Sequence, residues 1–240
     1  MLLEHERSVL PNRNMLRSGR ALLVVTFCVV TIVACKKKRP QDEPELPTVA
    51  GDGVTSSQSR TLPPFTRLEV DGALDVTVNV GKDSLLELHG DANLFPHVGS
   101  SVVNGELKLE PDAVLKPAQK LTLSLGVARL DYVAAGIAAK VAVHGVKTEA
   151  FSVRTGGAAQ LTVDGSSSEL SVGARSVSRV DLGTFSAAHA RVSALEFARV
   201  ELGYLEKLDA DQRGMAIITY RGTPAVTTHA DRAENVASRH

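Results

Sequence analysis

The sequence predicts an all-β protein built as a parallel β-helix of about 20-residue coils, and three observations predict it. From Phe65 onward apolar residues recur at every second position and the runs end on glycine, the pattern of half-buried strands. In the second half the same short strand returns at a near-constant spacing. No apolar 3.6-residue period persists long enough to support a helix there. An antiparallel β meander or sandwich is the alternative architecture, although hairpins rarely keep so constant a period.

The N-terminus is of a different kind. Residues 21–34 form an uncharged, mainly apolar run between Arg17 and Arg20 on one side and the cluster Lys36 to Arg39 on the other. The run is shorter than the roughly 20 apolar residues a spanning helix needs. Its length and flanks are those of a signal peptide. It closes on Ile32, Val33, Ala34 and Cys35, which resembles the lipobox of bacterial lipoproteins. The resemblance implies diacylglycerol on Cys35 and cleavage just before it. Two acyl chains give stable attachment where one chain is marginal. Met15 is an alternative start to Met1 and would give a more compact signal.

The basic cluster at residues 36–39 reads as a juxtamembrane patch beside anionic lipid. Lys36 follows the cysteine where an aspartate would resemble an inner-membrane retention signal, so the expected place is the outer membrane, facing either periplasm or exterior. The stretch to about Arg60 carries Pro40, Pro44, Pro47, Gly51, Gly53 and a serine-rich run, with few apolar residues. It reads as a flexible linker. The expected domains are therefore a signal peptide at 1–34, a lipidated cysteine and linker at 35–60, a β-helical domain at 61–230 and a C-terminal tail at 231–240.

Within the domain, residues 67–71 and 74–80 alternate and are followed by Gly72 and Gly81; residues 85–90 and 105–110 continue the pattern. The repeat then runs through residues 120–126, 140–145, 160–165, 179–183 and 199–203, each reading polar, apolar, polar, apolar and closing near a glycine. A worn further copy spans 216–222. Second strands lie between, clearest at Phe151 to Val153 and Leu170 to Val172, looser at Val192 and Leu208. Stacked coils would place Leu121, Val141, Leu161, Val180 and Val200 in one inward column, and Leu123, Val143, Val163, Leu182 and Leu202 in another. Small residues such as Ala134, Ala135, residues 156–159 and Ser166 to Ser168 would let the backbone turn tightly between strands.

Composition narrows the function classes. Hydrophobic residues make up 43% of the chain and charged residues 22%, as in an ordinary globular protein. Removal of residues 1–34 takes four arginines and two glutamates and leaves 23 basic against 25 acidic residues, a balance without the footprint of a nucleic-acid binder. Cys28 lies in the removed segment, so no thiol remains for a disulfide or a cysteine metal site. His89, His97, His144, His189 and His229 are dispersed without metal-ligand spacing. No phosphate-loop or nucleophile-elbow motif occurs, and no metal, cofactor or catalytic residue is assigned. Aromatic residues are only 4% and Trp is absent, which weakens a sugar-stacking groove.

One surface constellation stands out. Asp181 and Glu201 occupy equivalent positions in successive coils, at a separation compatible with a paired-carboxylate glycosidase. Arg179 and Arg199 stand two residues before them on the same face, so an ion-pair ladder across adjacent strands is the preferred reading.

Residues 65–78 (FTRLEVDGALDVTV), 86–94 (LELHGDANL) and 103–109 (VNGELKL), followed by the glycine-, alanine- and serine-punctuated repeats and the closing YRGTP at 220–224, resemble the putative auto-transporter adhesin head domain family, the GIN domain or DUF2807. The resemblance covers about residues 65–226. It implies a right-handed β-helix, a solenoid of pectin-lyase-like shape, on envelope proteins with an adhesive role and no recognised catalytic set. Family members often carry Gly-Ser or Ala-Ser steps before each repeat strand; here those steps read Ser176-Val177-Ser178 and Glu196-Phe197-Ala198. The expected function is a non-catalytic, envelope-anchored lipoprotein presenting this head to an envelope, surface or glycan ligand. A carbohydrate-binding or carbohydrate-active protein is the alternative and a structural envelope protein the third. Cys35→Ser is expected to leave an unacylated, unprocessed precursor; intact-mass spectrometry of membrane extracts showing the variant still acylated and cut at the same bond would overturn that.

Overall fold

A computed structural model describes residues 46–239. They form stacked parallel coils, a β-solenoid of about five turns at a spacing of about 20 residues. Each regular coil runs through one strand, a short third face, a second strand and a tight corner. Long strands therefore bend from face to face: Lys140–Thr155 and Gln160–Ala174 each serve two faces. Gly145 and Gly165, both at positive φ, stand at these bends, and a side chain on Gly165 would collide with the Val146 backbone.

The register between coils places like on like. Val141 lies beside Leu161, Leu161 beside Val180, Val180 beside Val200 and Val200 beside Ile218, all buried. On the other long face Val133, Val153, Val172, Val192 and Ala210 form a second continuous column. Phe151 and Phe185 stack inside the core at 5.7 Å between ring centroids. Parallel strands with both neighbours in place leave no free ladder groups within the stack, and each coil's apolar edge is covered by the next.

The corners repeat one geometry. Ile137, Gly157, Ser176, Glu196 and Gly214 all adopt positive φ, and each of the first four accepts through its carbonyl the N–H of the residue after its counterpart in the next coil: Ala158, Val177, Phe197 and Met215. Directly after these come Ala139, Ala159, Ser178, Ala198 and Ala216, every one of them fully buried. Only small side chains fit where the chain doubles back. The Ser178 hydroxyl is satisfied by Thr155 at 2.9 Å. Gly157 cannot be replaced without strain, since a Cβ there would meet the Ile137 backbone.

Three expectations are corrected. First, residues 48–60 are not a free linker. Thr48–Ala50 pairs with Val114–Lys116, and Thr55–Thr61 runs antiparallel to Leu85–Asp91 as an edge strand. Backbone hydrogen bonds rather than apolar burial hold this polar segment, aided by two buried-side contacts. Asp91, fully buried, accepts N–H groups from Gly53, Ala118 and Gln119 at 2.7–3.0 Å. Arg60 donates to the carbonyls of Val98 and Phe95. A buried carboxylate is tolerable only when its oxygens are filled in this way.

Second, Leu121 does not stack on Val141. The strand Asp75–Val80 stands between the two coils: Val76 pairs with Val141 on one side and with Leu123 on the other. In the same way Arg67–Val70 lies between Glu106–Pro111 and Tyr132–Ala135. The first coil of the chain is thus the second layer of the solenoid, and the regular repeat begins only after it. Third, the residues after 230 are not merely a tail, because Val236–Ser238 adds a parallel strand beside Ile217–Arg221.

Replacing Leu161 by aspartate puts an unpaired charge between Val141 and Val180 and is expected to cost several kcal/mol, most of a domain's stability. Thr162→Asp, on the exposed face and opposite Asp181, is expected to cost about 1 kcal/mol or less. Chemical denaturation of the two variants checks the contrast; comparable losses at the two positions would overturn the inward and outward assignment.

Candidate functional site

The outward rows of the solenoid obey the same register as the inward columns. On the first long face one row reads Asp75, Lys140, Gln160, Arg179, Arg199 and Ile217, and the next reads Thr77, Ala142, Thr162, Asp181, Glu201 and Thr219. The four residues singled out in the sequence therefore do meet: Arg179 is the direct neighbour of Arg199, and Asp181 of Glu201.

Their pairing differs from a closed square of ion pairs. Asp181 accepts the N–H of Gly183 at 2.9 Å. Glu201 accepts Arg221 at 3.4 Å through one oxygen and Arg239 at 2.6 Å through the other. Arg221 and Arg239 were not anticipated, and sequence offered little to find them by, since one ends the strand Ile217–Arg221 and the other follows the strand Val236–Ser238, and the register alone brings them to Glu201. Among the described residues Arg179 and Arg199 make no ion pair. Both oxygens of Glu201 being held by guanidinium groups is the environment of a structural carboxylate rather than of a proton donor to a substrate.

The recesses on this face are open. One of about 420 Å³ is lined by Arg179, Asp181, Arg199, Glu201 and Arg239. Another of about 660 Å³ continues past Glu201 and Arg239 to Tyr204, Arg221 and Ser238. On the second long face a recess of about 400 Å³ lies among Glu69, Asp71, Tyr132, Arg154 and Arg175. Arg67 covers the Tyr132 ring at 3.9 Å from its centre. Burial, followed by repulsion from Asp71, raises the Glu69 carboxyl above its ordinary range.

Three of the five histidines dispersed in sequence are brought to a carboxylate, His97 to Asp112 at 2.8 Å, His144 to Asp164 at 2.6 Å and His189 to Glu169 at 3.2 Å, while His89 meets the Ser57 hydroxyl at 3.1 Å. Among the described residues no group of three or more His, Cys, Asp or Glu could hold a metal ion. Burial pushes the Asp164 carboxyl up, but the His144 hydrogen bond, the Gly145 N–H and the nearby ring outweigh it and hold the group below its usual value.

The corner beside the arginine row carries a further feature that periodicity alone did not reveal. The residues one step past each positive-φ position project outward, and they are Ala138, Ala158, Val177, Phe197 and Met215. Ile137, Val177 and Phe197 are each at least 60% exposed and Met215 is 49% exposed. Cys35 lies outside the described residues. No helix among the described residues is long and apolar enough to cross a membrane.

The family model described as "Putative auto-transporter adhesin, head GIN domain" matches residues 64–224. Among solved structures the chain is similar to a putative adhesin from Bacteroides fragilis, at 14% identity and a TM-score of 0.61, covering 79% of this chain and 98% of that one. It is also similar to a putative adhesin from Parabacteroides merdae, at 15% identity and a TM-score of 0.51, covering 81% of this chain and all of the other. At such identities the likeness speaks for the fold. No curated protein matches the chain.

A depressed carboxylate stabilises the folded state above its unfolded pKa, and that contribution is lost as pH falls through the folded value. Asp164→Asn is therefore expected to lower stability at neutral pH and to flatten the loss of stability as pH drops below about 3.9, the ordinary aspartate value. Denaturation midpoints across pH check this; parallel curves for the two proteins would remove Asp164 from the acid response.

Proposed function

The chain belongs to the putative auto-transporter adhesin head GIN domain family, and from that premise we propose that it is a non-catalytic head that works by surface interaction at the cell envelope. The observation that carries the reading is the form of the outer faces. They are regular rows of side chains repeated coil after coil, with open recesses and with the one paired-carboxylate candidate already committed to Arg221, Arg239 and Gly183. Catalysis asks for convergent groups around a reacting atom. A periodic wall instead suits contact with an extended or repetitive surface.

In this proposal Cys35 carries the lipid, residues 36–45 connect it to the first strands, and the outer membrane holds the whole. The finer placement rests on the lipobox-like residues Ile32 to Cys35 and on Lys36. A glycan array and immobilised matrix proteins, probed with the purified full chain, test the interaction. Retention of a defined set of ligands, recovered unaltered by mass spectrometry, is expected. Recovery of shortened or chemically changed ligand would replace the proposal with an enzymatic one, and retention of nothing would reject adhesion to these surfaces.

A further inference from the structure

Large apolar side chains scattered singly over a protein surface need no explanation, but a contiguous row does. Val177, Phe197 and Met215 are exposed on a single corner, in register from coil to coil through the hydrogen bonds that join neighbouring turns, and Ile137 is exposed on the same corner one residue before that row. With Ala138 and Ala158 they make an apolar crest of five coils. Coils are about 4.8 Å apart, so the crest runs for about 19 Å. Its backbone is held at positive φ even at Ile137, a β-branched residue for which that region is unfavourable. The side chains along one flank are mainly basic, and those along the other are mixed. Lys140, Arg179 and Arg199 follow the corner on one face, and on the other Arg175 precedes it in a row that has Asp71 at one end and Asp231 at the other. None of these four makes an ion pair among the described residues. Glu196 is the one acidic side chain on the crest itself, and Arg213, beside it, is spent on Asp211 at 3.2 Å.

Arg179 and Arg199 stand directly opposite one another on adjacent strands. Like charges so placed destabilise a sheet. Of the nearby carboxylates, Glu201 is already held by Arg221 and Arg239, and Asp181 accepts the Gly183 N–H and makes no ion pair with either arginine. A convex apolar ridge with Lys140, Arg179 and Arg199 along one flank, free of ion pairs among the described residues, and Arg175 on the other, matches the boundary of an anionic bilayer, where the apolar residues enter the acyl region and the cations stay among phosphates. A second copy of this chain is a poorer occupant, because its crest offers Lys140, Arg179 and Arg199 no continuous acidic row to meet.

We propose that this corner is a membrane-docking edge, by which the head lies on the anionic phospholipid leaflet that carries the lipid on Cys35. The docking rests on that anchor for its location but not for its chemistry. Between Cys35 and Leu46 the chain has few enough residues to keep the head close to the leaflet, yet at about 3.3–3.6 Å per extended residue enough to let it lie down. Docked on this edge, the head leaves the far face and the outer ends of its rows free for other contacts.

The test uses the full lipidated chain in vesicles. With Cys28 removed with the signal and Cys35 acylated, Phe197→Cys supplies a single thiol for an environment-sensitive fluorophore, as does Val177→Cys; Ser186→Cys, exposed on another face, is the control. In phosphatidylglycerol-containing vesicles the probes at 177 and 197 are expected to shift to the blue and to be quenched by acyl-chain-brominated lipid, while the probe at 186 does neither. Phosphatidylcholine vesicles, high salt, or the added pair Arg179→Gln and Arg199→Gln are expected to abolish both signals, and circular dichroism of the unlabelled variants checks that the fold persists. Equal signals at all three positions, equal signals without anionic lipid, or none at 177 and 197 would overturn the docking edge. A blue shift that needs no vesicles and grows with protein concentration would overturn it in favour of self-association. Flotation separates the two readings: a chain that floats with unquenched probes keeps its anchor and loses the docking edge, and one that does not float with any vesicle loses both.

Discussion

Everything in this protein depends on one constraint, the in-register stacking of each coil on the one before. Parallel strands about 4.8 Å apart must present the same face at the same height. A residue turned inward in one coil therefore has an inward residue above and below it. Val76, Val141, Leu161, Val180, Val200 and Ile218 satisfy that condition continuously. A slip of one residue would turn each strand inside out. The stability of the regular coils is therefore largely a sum of neighbour contacts.

The same constraint governs the exterior. Whatever side chain a repeat position carries is multiplied into a row, whether arginine beside arginine at 179 and 199, acid beside acid at 181 and 201, or the exposed apolar residues of the corner. Rows of like charge are costly unless something intervenes. Glu201 shows one solution, drawing Arg221 and Arg239 from later coils. Positions 144 and 164 show another, where a histidine in one coil meets an aspartate in the next at 2.6 Å.

The parts of this architecture that were legible in sequence are those decided within a few residues. Alternation at 140–145 and 160–165 reports which side chains enter the core, because burial on a pleated strand has period two. The twenty-residue spacing reports which coil meets which, and it placed Arg179 beside Arg199 and Asp181 beside Glu201. What escaped was decided by partners far along the chain. The segment 55–61 is polar and would be soluble by itself, yet it becomes a strand because Leu85–Asp91 offers an unpaired edge. Nothing within Arg67–Val80 tells that its neighbours are residues 106–127 and 132–144 at once. Likewise the apolar corner is invisible to a search for periodic burial, since its members are separated by whole coils and each taken alone is an ordinary exposed residue.

The insertion of residues 67–80 between two later segments bears on how the chain assembles. A polypeptide delivered from its N-terminus cannot finish this layer when it first emerges, because the strands that cover its two sides have yet to arrive. The interval is the stretch most in need of shielding from other chains, as unpaired strand edges are sites of aggregation. Once residues 132–144 have closed over the insert, every following coil finds a finished template and adds to it in one direction. The start of the fold is thus a slow, non-local event, and the remainder is elongation.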